Sequence, residues 1–333
     1  MKFALIGAST IAAQWMINAI RAQPDCDVID VFSNDAEHVK NYAKSHGLEH
    51  FSTDLQQLLA RTDIDAVYIS STNEKHHPQA MAAMAAGKHV ICEKPISMTI
   101  GEAAEMVQTA ESAGVILATN HHLRSAGAHI KIRNLIHSGR LGKLLSIRIY
   151  HAIHLPEHLR GWRIADARAG GGIIADITVH DADTVRFYLN EDPKAVVAHA
   201  ATSGMGQGVD DSAMSVWEMP SGIMVMAHES FTHPYAGSGI EVHGSEGSVF
   251  ARDVMTQKPT GEVILVTKNG SQQIDFDSHN LYKRSVACFV DALKGNGLPT
   301  ATGIDGVKSL AVALAVAGAA ETGRRTEVDY AGF

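Results

Sequence analysis

Phe3-Ala4-Leu5-Ile6-Gly7-Ala8-Ser9-Thr10-Ile11-Ala12 decides the fold. Its first four residues are an apolar run of strand type, and residues 13–21 can form a helix with Trp15, Ile17 and Ile20 mostly on one face. Strand, tight turn and helix is an arrangement that receives a nucleotide pyrophosphate. The helix start offers N–H groups without partners and the positive end of the helix dipole. The spacing matches the dinucleotide fingerprint G-x-G-x-x-G/A with one change. Gly7 makes the turn, Ser9 stands where the second glycine would, and Ala12 permits close packing of helix on strand. The Ser9 hydroxyl can bond a phosphate oxygen.

Outward from this stretch, strand and helix signals alternate. Residues 28–32, 65–70, 88–92 and 115–118 read as strands. Residues 35–46, 53–59, 77–86 and 99–113 read as helices, with Gly47, Gly87 and Gly114 as stops and Thr99 with Glu102 as a capping pair. Such alternation implies a doubly wound parallel sheet with right-handed crossovers. Beyond about residue 120 the pattern changes. Residues 124–138 look helical, 144–149 alternate, and two hairpin signals follow, at residues 217–225 and at Asn269-Gly270, where a type I′ turn is expected. Helices return near residues 281–294 and 306–320. The expected architecture is an α/β Rossmann domain over residues 1–120. An α+β domain with an open, mainly antiparallel sheet follows over residues 121–333, and the sheet's free face leaves room for subunits to pair.

The totals are those of a globular chain: 333 residues, 45% hydrophobic and 19% charged, enough for two domains. The formal charge of −8 disfavours nucleic acid or an acidic membrane as partner. Cys26, Cys92 and Cys288 are far apart and fit reduced thiols in a cytoplasm. No basic-then-apolar leader opens the chain, and no window approaches about 18 uninterrupted apolar residues, so no membrane span is expected.

A parallel sheet places its ligand at the carboxyl ends of its strands. Polar residues gather at those ends: Ser9 and Thr10, Ser33 and Asn34, Ser71-Thr72-Asn73, Glu93-Lys94-Pro95 and Asn120-His121-His122. Ser33 stands where an NAD site usually carries a carboxylate for the adenosine ribose, which removes repulsion against a 2′-phosphate and favours NADP(H). His38 and Lys40 help modestly; Asp35 and Glu37 oppose. Lys94 at a central strand end can stabilise alkoxide character as a hydride arrives, although a lysine there is ordinarily a surface residue. A second cluster, Gly170-Gly171-Gly172, precedes Asp176 and His180. The glycines let a backbone approach a ligand. On a helix the two polar residues are i and i+4, so the carboxylate can orient the imidazole, a natural proton donor near neutral pH. The bland alternative is a satisfied histidine in a core helix. Nineteen histidines invite a metal reading, but no H-E-x-x-H or comparable ligand set occurs, and no metal is expected.

Together these segments resemble the glucose-fructose oxidoreductase / inositol dehydrogenase family over essentially the whole chain. They are the fingerprint turn, Ala86-Gly87-Lys88-His89-Val90 running into Glu93-Lys94-Pro95, and a glycine cluster followed by Asp and His four apart. Within that family, Asn120-His121-His122-Leu123-Arg124, Gly161-Trp162-Arg163 and residues 176–183 and 254–259 look like those of members that reduce a cyclic 2-ketosugar. The resemblance implies NADPH-dependent reduction of 1,5-anhydro-D-fructose to 1,5-anhydro-D-mannitol. It implies that Lys94 and Asp176 hold substrate oxygens and that His180 gives the proton. It further implies cofactor contacts from Gly7, Ser9, Thr10, Ile11, Ala12, Ser33, Asn34, His38, Ser71, Thr72, Asn73, His76, Glu93, Lys94, Asn120, Trp162 and Arg163, with Tyr282 approaching from the second domain. Such members carry an arginine for the 2′-phosphate at the position of His38, so use of NAD(H) besides NADP(H) is also implied. Three other readings stand beside this one: oxidation of a sugar or polyol with His180 as base, an NAD-dependent glycosidase without net cofactor turnover, and a non-catalytic cofactor sensor.

Overall fold

In the computed structural model, which describes residues 1–333, the opening run forms β1 (Lys2–Ile6), and Phe3, Ala4, Leu5 and Ile6 are all fully buried. β2 (Asp27–Phe32), β3 (Ala66–Ile69), β4 (His89–Cys92) and β5 (Leu117–Thr119) join it in a parallel sheet of order β2-β1-β3-β4-β5. These strands are apolar runs because helices cover both faces of a parallel sheet. The helices fall where local signals put them. Ala36–His46 is capped by Asp35 and closed by Gly47 at φ +62°; Ile100–Ala113 carries the full Thr99/Glu102 capping box and ends at Gly114. The turn at Gly7 needs glycine for two reasons. Its φ is +111°, and an added Cβ would lie 2.9 Å from backbone atoms of Ser70 and Ser71.

The structure divides the chain into two units, one of Met1–His122 with Tyr282–Val307 and one of Leu123–Leu281 with Lys308–Phe333. A single cut between residues 120 and 121 therefore does not describe it. The chain comes back because the late segment completes the first core. Phe289 packs on Phe3 with ring centroids 6.3 Å apart, and Thr119 N donates to Ala301 O at 3.2 Å beyond β5.

The second unit is built on β6 (Leu144–His154), β7 (Ala195–Ala201), β8 (Ser212–Glu218), β9 (Met224–Ser230), β10 (Thr232–Gly244), β11 (Gly247–Arg252), β12 (Glu262–Thr267), β13 (Gly270–Gln273) and β14 (Thr326–Glu327). Their order is β13-β12-β11-β10-β6-β9-β8-β7-β14, antiparallel throughout except for the β6–β9 pair. Alternation sorts the side chains. Ala213, Ser215 and Trp217 of β8 and Val225, Ala227 and Glu229 of β9 are buried, while Met214, Val216, Met224 and Met226 are exposed on the other face. At the β12–β13 hairpin Thr267 pairs with Gly270, and only the glycine takes positive φ, +106°. The expected type I′ turn needs two such residues and is not formed. The helix Gly303–Thr322 is long and apolar enough to cross a membrane by composition alone, but most of that stretch is buried within the protein, Val312, Val316 and Ala319 completely.

Candidate active site

The first unit gathers its polar loops along one edge of the sheet. Ser9 Oγ bonds Ser70 Oγ at 2.7 Å and accepts from Ala12 N at 3.2 Å, so it caps the helix that starts there. That helix begins with a π-helical turn, Ala12–Met16, before Ile17–Arg21, a widening often met at functional sites. Tyr42 donates its hydroxyl to Ser9 O at 3.0 Å and clamps the turn from outside. Next to Ser33 and Asn34, the Asp35 carboxylate accepts from His38 N at 2.9 Å, and His38 Nε2 lies 2.9 Å from Ala8 O. Both groups flanking the predicted 2′-phosphate position are thus engaged with the protein's own backbone. Ser71 Oγ donates to Gln79 at 2.6 Å, and Thr72 Oγ1 to Glu74 at 2.7 Å.

Glu93 is the hub of the next loop. Its Oε1 accepts from Tyr68 OH and from Asn120 Nδ2, each at 2.6 Å. Burial, then the Glu93 charge, pushes the Tyr68 phenol well above its ordinary range, so it stays a donor. Lys94 follows, half-buried, with a cis bond to Pro95. Sequence reasoning passed over Tyr68; the signal was there, as the only side chain in the run Ala66–Ile69 with a polar atom to satisfy. His76 is fully buried, with Nδ1 2.7 Å from Pro95 O and Nε2 3.2 Å from Ser71 O. Tyr282 belongs to this unit, contrary to the expectation that it lies in the second domain. It is fully buried and stacks with two rings, Trp15 at 5.4 Å and His122 at 5.1 Å between centroids.

In the second unit the glycine cluster serves the chain itself. A Cβ on Gly171 would lie 2.5 Å from Trp162 O and 2.8 Å from Asp166 O, and Gly172 N donates to Arg163 O at 2.8 Å. The close approach read as an approach to a ligand is therefore an approach to the helix Gly161–Ala165, which carries Trp162 and Arg163. Asp176 lies in a π-helical turn, Ile174–Thr178, and His180 in the helix Val179–Leu189 that continues it. Both are buried. Arg163 Nε stands 3.4 Å from Asp176 Oδ2. One turn on, Asp183 takes two bonds from Arg124, at 2.8 and 2.7 Å, a fork that ties the start of this unit to the same helix. No three metal-ligating side chains converge anywhere in the chain.

The first unit fits a dinucleotide. The first amides of a helix have no intrahelical acceptor, and here they follow a turn where only glycine avoids a clash with Ser70 and Ser71. Comparison with known proteins agrees. The model for the oxidoreductase family with NAD-binding Rossmann fold matches residues 1–121, and the GFO/IDH/MocA C-terminal domain matches residues 129–250. A 1,5-anhydro-D-fructose reductase of Ensifer adhaerens is 49% identical over 329 residues, 98% of each chain. Among solved structures, the aldose-aldose oxidoreductase of Caulobacter crescentus complexed with glycerol has a TM-score of 0.90 at 23% identity, covering 98% of this chain and 99% of that one. A levoglucosan dehydrogenase complexed with NADH and levoglucosan has a TM-score of 0.87 at 20% identity, with the same coverage. At those identities the two structures speak for the fold. The first unit is a nicotinamide-dinucleotide domain.

Proposed function

Because the chain belongs to the GFO/IDH/MocA family of oxidoreductases, we propose that it reduces a cyclic ketosugar with NADPH, taking 1,5-anhydro-D-fructose to 1,5-anhydro-D-mannitol. The observation that carries this reading is the near full-length likeness, at 49% identity, to a reductase of that sugar. Nicotinamide, when bound, supplies the hydride. The Lys94 ammonium holds the carbonyl oxygen and stabilises the negative charge that grows there as the C=O electron pair moves onto it. Asp176, with Arg163 at 3.4 Å, accepts a hydrogen bond from a substrate hydroxyl. His180 as imidazolium gives its proton to the new alkoxide, completing the alcohol.

NADPH is favoured by Ser33, which presents no carboxylate to a 2′-phosphate; Asp35, whose carboxylate caps a helix, opposes it through its charge. His38 is occupied at Ala8 O and adds little, so NADH is a second, weaker reductant. A cytoplasmic location accords with three free cysteines.

The test is oxidation of NADPH by 1,5-anhydro-D-fructose, run beside NADH and the His180→Ala variant. Turnover with NADPH that collapses in the variant is expected. Wild-type protein that binds NADPH but leaves this sugar untouched would remove the substrate, and unchanged turnover in His180→Ala would remove the proton donor. Running sugar alcohols with NADP+ separates the reverse direction, in which His180 acts as base.

A further inference from the structure

His76 opens the helix His76–Ala85 with its whole side chain inside the protein. Its ring meets two backbone carbonyls from different loops. Ser71 follows β3, and Pro95 follows β4 as the residue after Lys94. Burial pulls the His76 pKa down, and the shorter of its two carbonyl contacts is the 2.7 Å one to Pro95 O. Proline has no N–H, so that carbonyl is the only backbone hydrogen-bonding group Pro95 possesses. Lys94 is therefore flanked by two fixed neighbours: Glu93, held by Tyr68 and Asn120, and Pro95, held by His76. The same helix also grips the other loop, through Gln79 on Ser71 Oγ at 2.6 Å.

We propose that His76 is a positioning residue, whose ring fixes the turn carrying Lys94 through Pro95 O without touching cofactor or substrate. The proposal rests on the assignment of Lys94 to the carbonyl oxygen. A fully buried imidazole has no edge to offer a dinucleotide, so the cofactor contact implied by the family likeness is replaced by support from behind. A displacement of about 1 Å in a group that binds the reacting oxygen costs on the order of a hundredfold in rate.

His76→Ala and His76→Gln test it, since the glutamine amide can again donate to Pro95 O. Four quantities are read: kcat with 1,5-anhydro-D-fructose, the NADPH dissociation constant, the melting temperature, and the acylation rate of the Lys94 amine by acetic anhydride, followed by peptide mass spectrometry. The alanine variant should lose roughly ten- to a hundredfold in kcat. Its NADPH affinity should be nearly unchanged and its Lys94 labelling altered, and glutamine should restore both kcat and labelling. NADPH binding that weakens while saturated kcat holds would make His76 a direct cofactor ligand and overturn the proposal. So would unchanged kcat and labelling. If the alanine variant does not fold, the glutamine variant decides by the same four readouts. If wild-type protein does not reduce this sugar, the substrate reading fails alone, and the Lys94 labelling still decides the role of His76.

Discussion

Arg163 Nε stands 3.4 Å from Asp176 Oδ2, and the same guanidinium lies 4.6 Å above the Trp162 ring. One arginine thus joins the residue assigned to the substrate with a neighbour assigned to the cofactor. The arginine is partly exposed, so the pair is worth about 1 kcal/mol, or roughly fivefold in rate. Arg163→Gln should lower kcat/KM by about that factor, and Arg163→Lys, which keeps the charge, should lower it less. Steady-state kinetics on both variants checks this. An unchanged value in Arg163→Gln would take the ion pair out of the reaction.

Asp211 organises the loop that buttresses this region. Its buried carboxylate accepts from the amides of Ser203, Gly204, Met205 and Gly206 at 2.7–3.1 Å and from Ser203 Oγ at 2.6 Å. Burial opposes the charge, but the Ser203 hydroxyl and the Gly206, Ser203 and Met205 amides prevail and hold the carboxyl far below the usual range. The loop then reaches the site: Ile173 N donates to the adjoining Asp210 O at 2.9 Å, and Gln207 N to Ile164 O at 2.7 Å. Asp211→Ala would take the acceptor from four amides; the residues carrying them are exposed or half-exposed, so water replaces part of the loss and the cost is about 1–3 kcal/mol in all. A drop of several degrees in melting temperature is expected, together with a loss of activity. A melting temperature equal to that of the wild type would show that the loop holds itself.

What could be read in advance follows the range of the interaction. The Thr99/Glu102 box, the Gly47 and Gly114 caps and the apolar run before Gly7 are settled within a few residues, and the structure has them. Tyr282 is different. Nothing within its own segment says that the helix Leu281–Leu293 packs with the first unit, because that depends on Phe289 meeting Phe3 and Tyr282 meeting Trp15, partners at the other end of the chain. The glycine cluster was legible as a close approach but not as to what, since Trp162 and Asp166 come near only once the helix Gly161–Ala165 has formed. Glu229 had a local signal that went unread. In the alternation of β9 it falls on the inward side with Val225 and Ala227.

Glu229 meets Asp181 in the core of the second unit, both fully buried. Burial is the main cause that raises both pKa values. The Glu229 charge adds to the rise at Asp181, while the Thr178 hydroxyl pulls Glu229 the other way and loses, leaving it near 7. An acid whose folded pKa lies above its unfolded value holds a proton in the native state that the unfolded chain has released. Stability therefore falls as pH rises from about 4.5 to about 7, and the deficit persists above that. Glu229→Gln removes the second ionisable carboxyl and keeps the size of the side chain. Its melting temperature should match the wild type near pH 4.5 and exceed it by a few degrees at pH 8. Parallel curves for the two proteins across that window would show that burial does not raise the Glu229 pKa.

His38 offers the sharpest test of cofactor choice. Its Nε2 sits 2.9 Å from Ala8 O and its own amide donates to Asp35, so its ring is committed to the turn after β1. An arginine in its place has five donors in a planar fork, enough to keep a bond to Ala8 O while presenting a permanent charge to a 2′-phosphate. A charge-assisted contact of this kind contributes about 1.5–3 kcal/mol, which is roughly ten- to a hundredfold in binding. His38→Arg should therefore raise the ratio of NADPH to NADH efficiency by that factor, through a lower KM for NADPH and with little change in kcat. The measurement is kcat/KM for both cofactors at one fixed sugar concentration, repeated at higher salt. Because the gain is electrostatic and position 38 is exposed, it should shrink as ionic strength rises. A ratio that does not move, or that moves without salt dependence, would place the adenosine 2′-position away from residue 38.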